Sequence, residues 1–136
     1  MQSAALDLMG AVWPHVPPAV TRAETFGANL FDFSHSIVRM DGGVAVAHVG
    51  LMDTPLRVSG RDLNATELHA VCVREGSRGR GLMRSVMEEC ITLTAGASWL
   101  HVSFDMDVLD PTHAPGTGTH SGRWSLKRVA GLCQFL

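Results

Sequence analysis

The run Arg78-Gly79-Arg80-Gly81 marks the point where the hydrophobic period of this chain changes, and that change limits the folds open to it. Before it, Glu67-Leu68-His69-Ala70-Val71-Cys72-Val73 reads as a strand, largely buried, with Glu67, His69, Val71 and Val73 alternating onto one face. After it, Leu82, Met83, Val86, Met87, Cys90 and Ile91 recur at helical spacing, with Arg84, Ser85, Glu88 and Glu89 on the other side. That pattern predicts a helix of about three turns. Gly96 ends it, and Trp99–Phe104 reads as a further strand. Strand, glycine turn, helix and strand in succession make a βαβ unit with a right-handed crossover, which places the chain in the α/β class.

The flanking segments extend this core. Asp41-Gly42-Gly43 separates the apolar, β-branched stretches Ser36–Met40 and Val44–Met52, a strong hairpin signal because the turn supplies positive φ at low cost. Leu56–Val58 followed by Gly60-Arg61-Asp62 reads as a short strand or loop. At the start, Pro14, Pro17 and Pro18 interrupt a region of little periodicity, so a short helix over Ala4–Trp13 ends at the first proline. Asp110–Gly122 is a loop rich in Pro, Gly and Thr. Leu126, Val129, Ala130, Cys133 and Leu136 return to helical spacing, so a helix is expected to finish the chain.

A chain of 136 residues with 46% hydrophobic content suits one domain, residues 1–136, rather than two. A net charge of −2 and 18% charged residues give neither a nucleic-acid footprint nor a membrane-surface patch, and favour a small-molecule substrate. No apolar run reaches the ~18 residues of a spanning helix, and no signal-peptide pattern opens the chain; a cytoplasmic location is expected. Cys72, Cys90 and Cys133 are odd in number and set among apolar neighbours, as reduced, buried thiols would be.

A glycine-rich turn at a helix N-terminus presents unpaired amides and the positive end of the helix dipole, a combination that holds phosphate. Arg78 and Arg80 add positive charge there. In this setting, from about residue 31 to residue 95, the sequence resembles the GNAT superfamily of acetyltransferases. Their CoA-binding motif reads Arg/Gln-x-x-Gly-x-Gly/Ala between a strand and a helix, and Arg78-Gly79-Arg80-Gly81-Leu82-Met83 matches it except at Met83, where glycine or alanine is usual. The resemblance implies a GNAT-like mixed sheet with a β-α-β core and flanking helices. It also implies acetyl-CoA as acyl donor, main-chain groups of Val71 and Val73 along the pantetheine arm, and amides from Gly79 to Met83 on the pyrophosphate. A substrate amine would attack the thioester directly, with Glu67 or His69 as base, through water or without it. The acid in that family is often a tyrosine, and this chain has none.

From Trp99 onward a second resemblance takes over and makes the C-terminal part, residues 98–136, atypical of the first. His101-Val-Ser-Phe-Asp105-Met-Asp107-Val-Leu-Asp110-Pro111, with Ala114-Pro115-Gly116-Thr-Gly-Thr119, is similar to the arginase/agmatinase ureohydrolases. In those enzymes the aspartates of Ser-Phe-Asp-x-Asp ligate a binuclear manganese site whose hydroxide attacks a guanidinium carbon, so Asp105 and Asp107 would be Mn²⁺ ligands. The further ligand motifs of that family, Asp-Ala-His-x-Asp and Gly-Gly-Asp-His, do not occur here. Three readings stand on the sequence: an acetyl-CoA-dependent N-acetyltransferase, a manganese ureohydrolase fragment, and a non-catalytic product of fusion, truncation or frameshift.

Overall fold

The computed structural model describes residues 2–97 and Thr112. The chain divides into two compact units, Met1–Gly96 and Ala97–Leu136. The expected strand Trp99–Phe104, the C-terminal helix, Cys133 and the paired Asp105 and Asp107 lie outside the described residues.

The first unit is an α/β structure: a three-stranded antiparallel sheet with helices against both of its faces. In chain order it runs α1 (Gln2–Val12), α2 (Val16–Glu24), α3 (Leu30–Phe33), β1 (Ser34–Asp41), β2 (Val44–Val58), β3 (Arg61–Val73), a 3-10 turn (Glu75–Ser77) and α4 (Leu82–Leu93). The sheet order is β1-β2-β3, so β2 is central. The parallel partner that would complete a βαβ unit falls on Trp99–Phe104, outside the described residues.

The first hairpin forms as the sequence predicts. Asp41 pairs with Val44 across Gly42 and Gly43, both at positive φ (55° and 81°), the geometry whose twist matches that of the flanking strands. The second hairpin corrects the reading of Leu56–Val58 as a short strand or loop. β2 continues to Val58 and returns through Ser59 and Gly60, both at positive φ, into a β3 that begins at Arg61. Pro55 is tolerated because β1 reaches only as far as Met52, where Ser34 pairs; beyond it β2 has no partner on that side among the described residues, so no donor is missed there. The short helix expected near the start ends before Pro14 as predicted, α1 closing at Val12, and a second helix that the sequence did not suggest follows it. Pro17 and Pro18 occupy the first positions of α2, where their missing N–H groups are no loss, so they open a helix.

Two core clusters sandwich the sheet. On one face Ile37, Ala47, Val49 and Leu51 pack under Val86 and Cys90 of α4, with Leu68, Val73, Leu82, Met83 and Met87 around them. On the other, Leu8 of α1 packs on Ala45 and Cys72, bordered by Ala4, Val12, Trp13 and Val38. Arg39 ties α4 to β1, donating from Nε to Ser85 Oγ (3.2 Å) and from Nη2 to Glu89 (2.7 Å). Arg74 ties α1 to the sheet through Asp7 (2.9 Å) and the Ala45 carbonyl (3.0 Å). Cys72 and Cys90 are free, buried thiols, as expected, and burial pushes the Cys72 thiol up to about 11. No helix among the described residues is long and apolar enough to cross a membrane.

Candidate functional site

The glycine turn lies where the sequence puts it. Gly79 and Gly81 both have positive φ (79° and 73°), and Gly81 caps α4 in the left-handed conformation with no side-chain bond to the helix. The first intrahelical bond recorded at this end runs from the Ser85 amide to the Gly81 carbonyl (3.2 Å). The amides of Leu82, Met83 and Arg84 therefore lie in the first turn, where a helix has no internal acceptor for them. The side chains of Leu82 and Met83 point into the core instead, which fixes the helix end while leaving its main chain available.

The two arginines of the turn differ in their engagements. Arg80 donates to Asp41 of the first hairpin turn (2.7 Å), so its charge is shared with a carboxylate. Arg78 is exposed; its amide donates to the Glu75 carbonyl (3.2 Å), but its guanidinium has no hydrogen bond or ion pair among the described residues. Arg78 is thus the cation of this turn with no carboxylate bound to it.

β3 departs from the sequence expectation in two ways. It is mostly exposed or half-buried, with only Cys72 buried. Its alternation is also broken: His48 pairs with Cys72, but Gly50 pairs with His69, so β3 carries one extra residue in a bulge. Ala70, at φ 48°, makes the kink. Glu67, His69, Val71 and Val73 consequently do not share one face, and Leu68 and Val73, an odd number of positions apart, both pack toward α4. The reason is covalent: a single inserted residue reverses every side chain beyond it.

The bulge also sets the direction of the main chain. The Arg74 amide donates to the Val46 carbonyl (2.9 Å), which makes that pair and the Cys72 to His48 pair the inward-bonded ones. Val73, between them, presents its N–H and C=O to the other edge of β3, which pairs with no strand among the described residues. Val71 is 40% exposed beside it.

On the sheet face toward α1 lies a polar row that the sequence reading did not anticipate. His48, fully buried, bonds through Nδ1 to the Ala70 carbonyl (2.8 Å) and through Nε2 to Ser36 Oγ (3.0 Å). His69 reaches across β2 to Ser34 Oγ on β1 (2.6 Å). It can do so because Gly50 lies beneath it: any Cβ there would collide with the imidazole ring. Of the expected bases, His69 is therefore held by a hydroxyl on the far strand. Glu67 is exposed and makes a long contact with Thr54 Oγ1 (3.5 Å).

Desolvation lowers the pKa of both histidines, with the Ala70 bond partly opposing it at His48 and Glu67 opposing it at His69. The unfolded chain therefore takes up protons before the folded one does. The stability associated with the neutral rings is intact above the ordinary value of 6.5 and is lost as the pH falls through that value toward the depressed ones. Urea midpoints are expected to fall over that interval, and to fall less in His48→Gln, which has no ring to protonate.

An open cleft of about 610 Å³ is lined by Phe31, Phe33, Ser34, His35, Asp53 and Thr66 among others; it takes in Ser34, the hydroxyl partner of His69, but none of the residues expected at the site. Among the described residues no group of three or more His, Cys, Asp or Glu side chains is arranged to hold a metal ion.

Among solved structures the chain is similar to an acetyltransferase from Trypanosoma brucei, at 20% identity and a TM-score of 0.49, over 91% of this chain and 90% of that one. No curated protein matches it significantly. The model of the arginase family matches residues 40–123, from the end of β1 to beyond the Asp105 and Asp107 pair. That match covers more than half of the sequence, and the chain belongs to the arginase family.

Proposed function

We propose that the unit Met1–Gly96 binds acetyl-CoA and serves acetyl transfer to an amine. The observation that carries this reading is the left-handed Gly79 and Gly81 pair, which leaves the first-turn amides of α4 beside the uncommitted Arg78. Backbone donors, dipole and a free guanidinium suit a pyrophosphate. The outward main chain of Val73, with Val71 next to it, offers strand-like pairing to an amide-bearing arm.

In the transfer the amine nitrogen bonds to the acyl carbon and the carbon–sulfur bond breaks. The ammonium proton goes to His69 or Glu67, directly or through water, and the departing thiolate takes up a proton from solvent, since the chain has no tyrosine. A neutral His69, as its lowered pKa implies, is in the correct state to accept that proton. Calorimetric titration with acetyl-CoA tests the reading: a saturable site is expected, and absence of binding at millimolar ligand overturns it.

The family match favours a second reading, manganese-dependent ureohydrolase chemistry centred on Asp105 and Asp107, because it extends across both aspartates. The described residues supply no ligand set of their own, so the remaining ligands would have to come from outside them. Mn²⁺ is expected under this reading to raise the melting temperature, and the Asp105→Ala, Asp107→Ala double variant to lose the rise. A wild-type melting curve unmoved by Mn²⁺ would leave the aspartates without that role.

A further inference from the structure

We infer that His48 is a positioning residue for the acyl-carrier edge: its bond to the Ala70 carbonyl holds the left-handed kink after which the main chain of Val73 faces outward, with Val71 exposed beside it. The inference rests on the reading that this edge takes acetyl-CoA.

A carbonyl oxygen can only accept, so Nδ1 of His48 carries the hydrogen and donates to Ala70. In the neutral ring Nε2 is then the acceptor, and the Ser36 hydroxyl donates to it. Both ring nitrogens are satisfied inside a side chain with no exposed surface, so the imidazole has one orientation open to it.

Ala70 is the residue this orientation constrains. At φ 48° it occupies a region that alanine avoids and glycine enters freely, and it does so where the register of β3 slips by one residue. A non-glycine residue persists there only if its surroundings hold it. The Ala70 carbonyl accepts from the His48 side chain on the central strand. Cys72, opposite His48, and the Arg74 bond to Val46 restart the ladder immediately afterward, which leaves Val73 facing outward. His48 thus connects a buried polar group to the geometry of an edge some residues away, without lying on that edge itself.

The experiment combines His48→Ala, Ala70→Gly and the double variant in the full chain, read by acetyl-CoA titration and by the backbone ¹³C shifts at position 70. His48→Ala is expected to weaken binding about tenfold and to remove the left-handed signature. Ala70→Gly alone should stay within about twofold of wild type. Added to His48→Ala it should recover most of the affinity, because glycine takes positive φ unaided. Loss without recovery in the double variant overturns the inference, since a merely structural histidine would not be rescued by a change in backbone freedom. Wild-type affinity and an unchanged signature in His48→Ala overturn it equally. Should His48→Ala fail to fold, His48→Gln, whose amide can still donate to the carbonyl, is expected to keep the kink and the affinity; loss of either counts against the inference. A wild-type chain that does not bind acetyl-CoA overturns the site reading instead, while the shifts at position 70 still decide whether His48 holds the kink.

Discussion

Acetyl-CoA at about a hundredfold excess over its dissociation constant is expected to raise the melting temperature by roughly ten degrees, and Gly81→Glu to abolish the rise. Binding to the native state alone contributes about 2.7 kcal/mol at that excess, and a scale of about 4 °C per kcal/mol applies to a chain of this size, between the values for smaller and larger domains. Gly81 is the cap of α4 at φ 73°, and no atom lies within 4 Å of where its Cβ would be. Glutamate there meets no steric block. It loses on two other counts: about 1–2 kcal/mol for an L-residue in the left-handed region, and a carboxylate competing with phosphate for the same amides. Gly81→Ala separates these, since it carries the backbone cost without the charge and should keep part of the ligand-induced rise. An equal rise in wild type and Gly81→Glu would show that acetyl-CoA binds somewhere other than this turn.

Leu8→Ala has the largest effect expected on the fold itself, a loss of about 2–5 kcal/mol. Leu8 is fully buried and joins α1 to the sheet through Ala45 and Cys72. Those contacts cover the face that also carries His48 and Ser36, so a cavity there exposes a polar row that depends on dryness for its strength. Urea denaturation provides the measurement. A loss under about 1 kcal/mol would mean that α1 does not hold this face closed.

The helix α4, the glycine turn and the first hairpin were legible because each is specified within a few residues. The period of Leu82, Met83, Val86 and Cys90 identifies a helical face, and Gly42, Gly43, Gly79 and Gly81 sit where positive φ is required. The effect of two prolines was not legible locally, for a shared reason. Pro17 opens α2 and Pro55 lies within a strand, and whether proline breaks an element depends on which N–H groups have partners elsewhere in the fold. No local pattern contains that information.

The candidate site divides in the same way. The sequence by itself determined the turn that presents the α4 amides, the hairpin beside it and the buried thiol at Cys72, since dihedral preference and hydrophobic period act over short stretches. It also carried the Asp105 and Asp107 string, which falls within the family match. Only the tertiary structure decided that Arg80 is bound to Asp41, that Gly50 lets His69 cross to Ser34, and that His48 meets the Ala70 carbonyl. These contacts join residues 39, 35 and 22 positions apart. They exist because strand register brings distant residues side by side, and a one-residue bulge, invisible in composition or period, sets which of them meet.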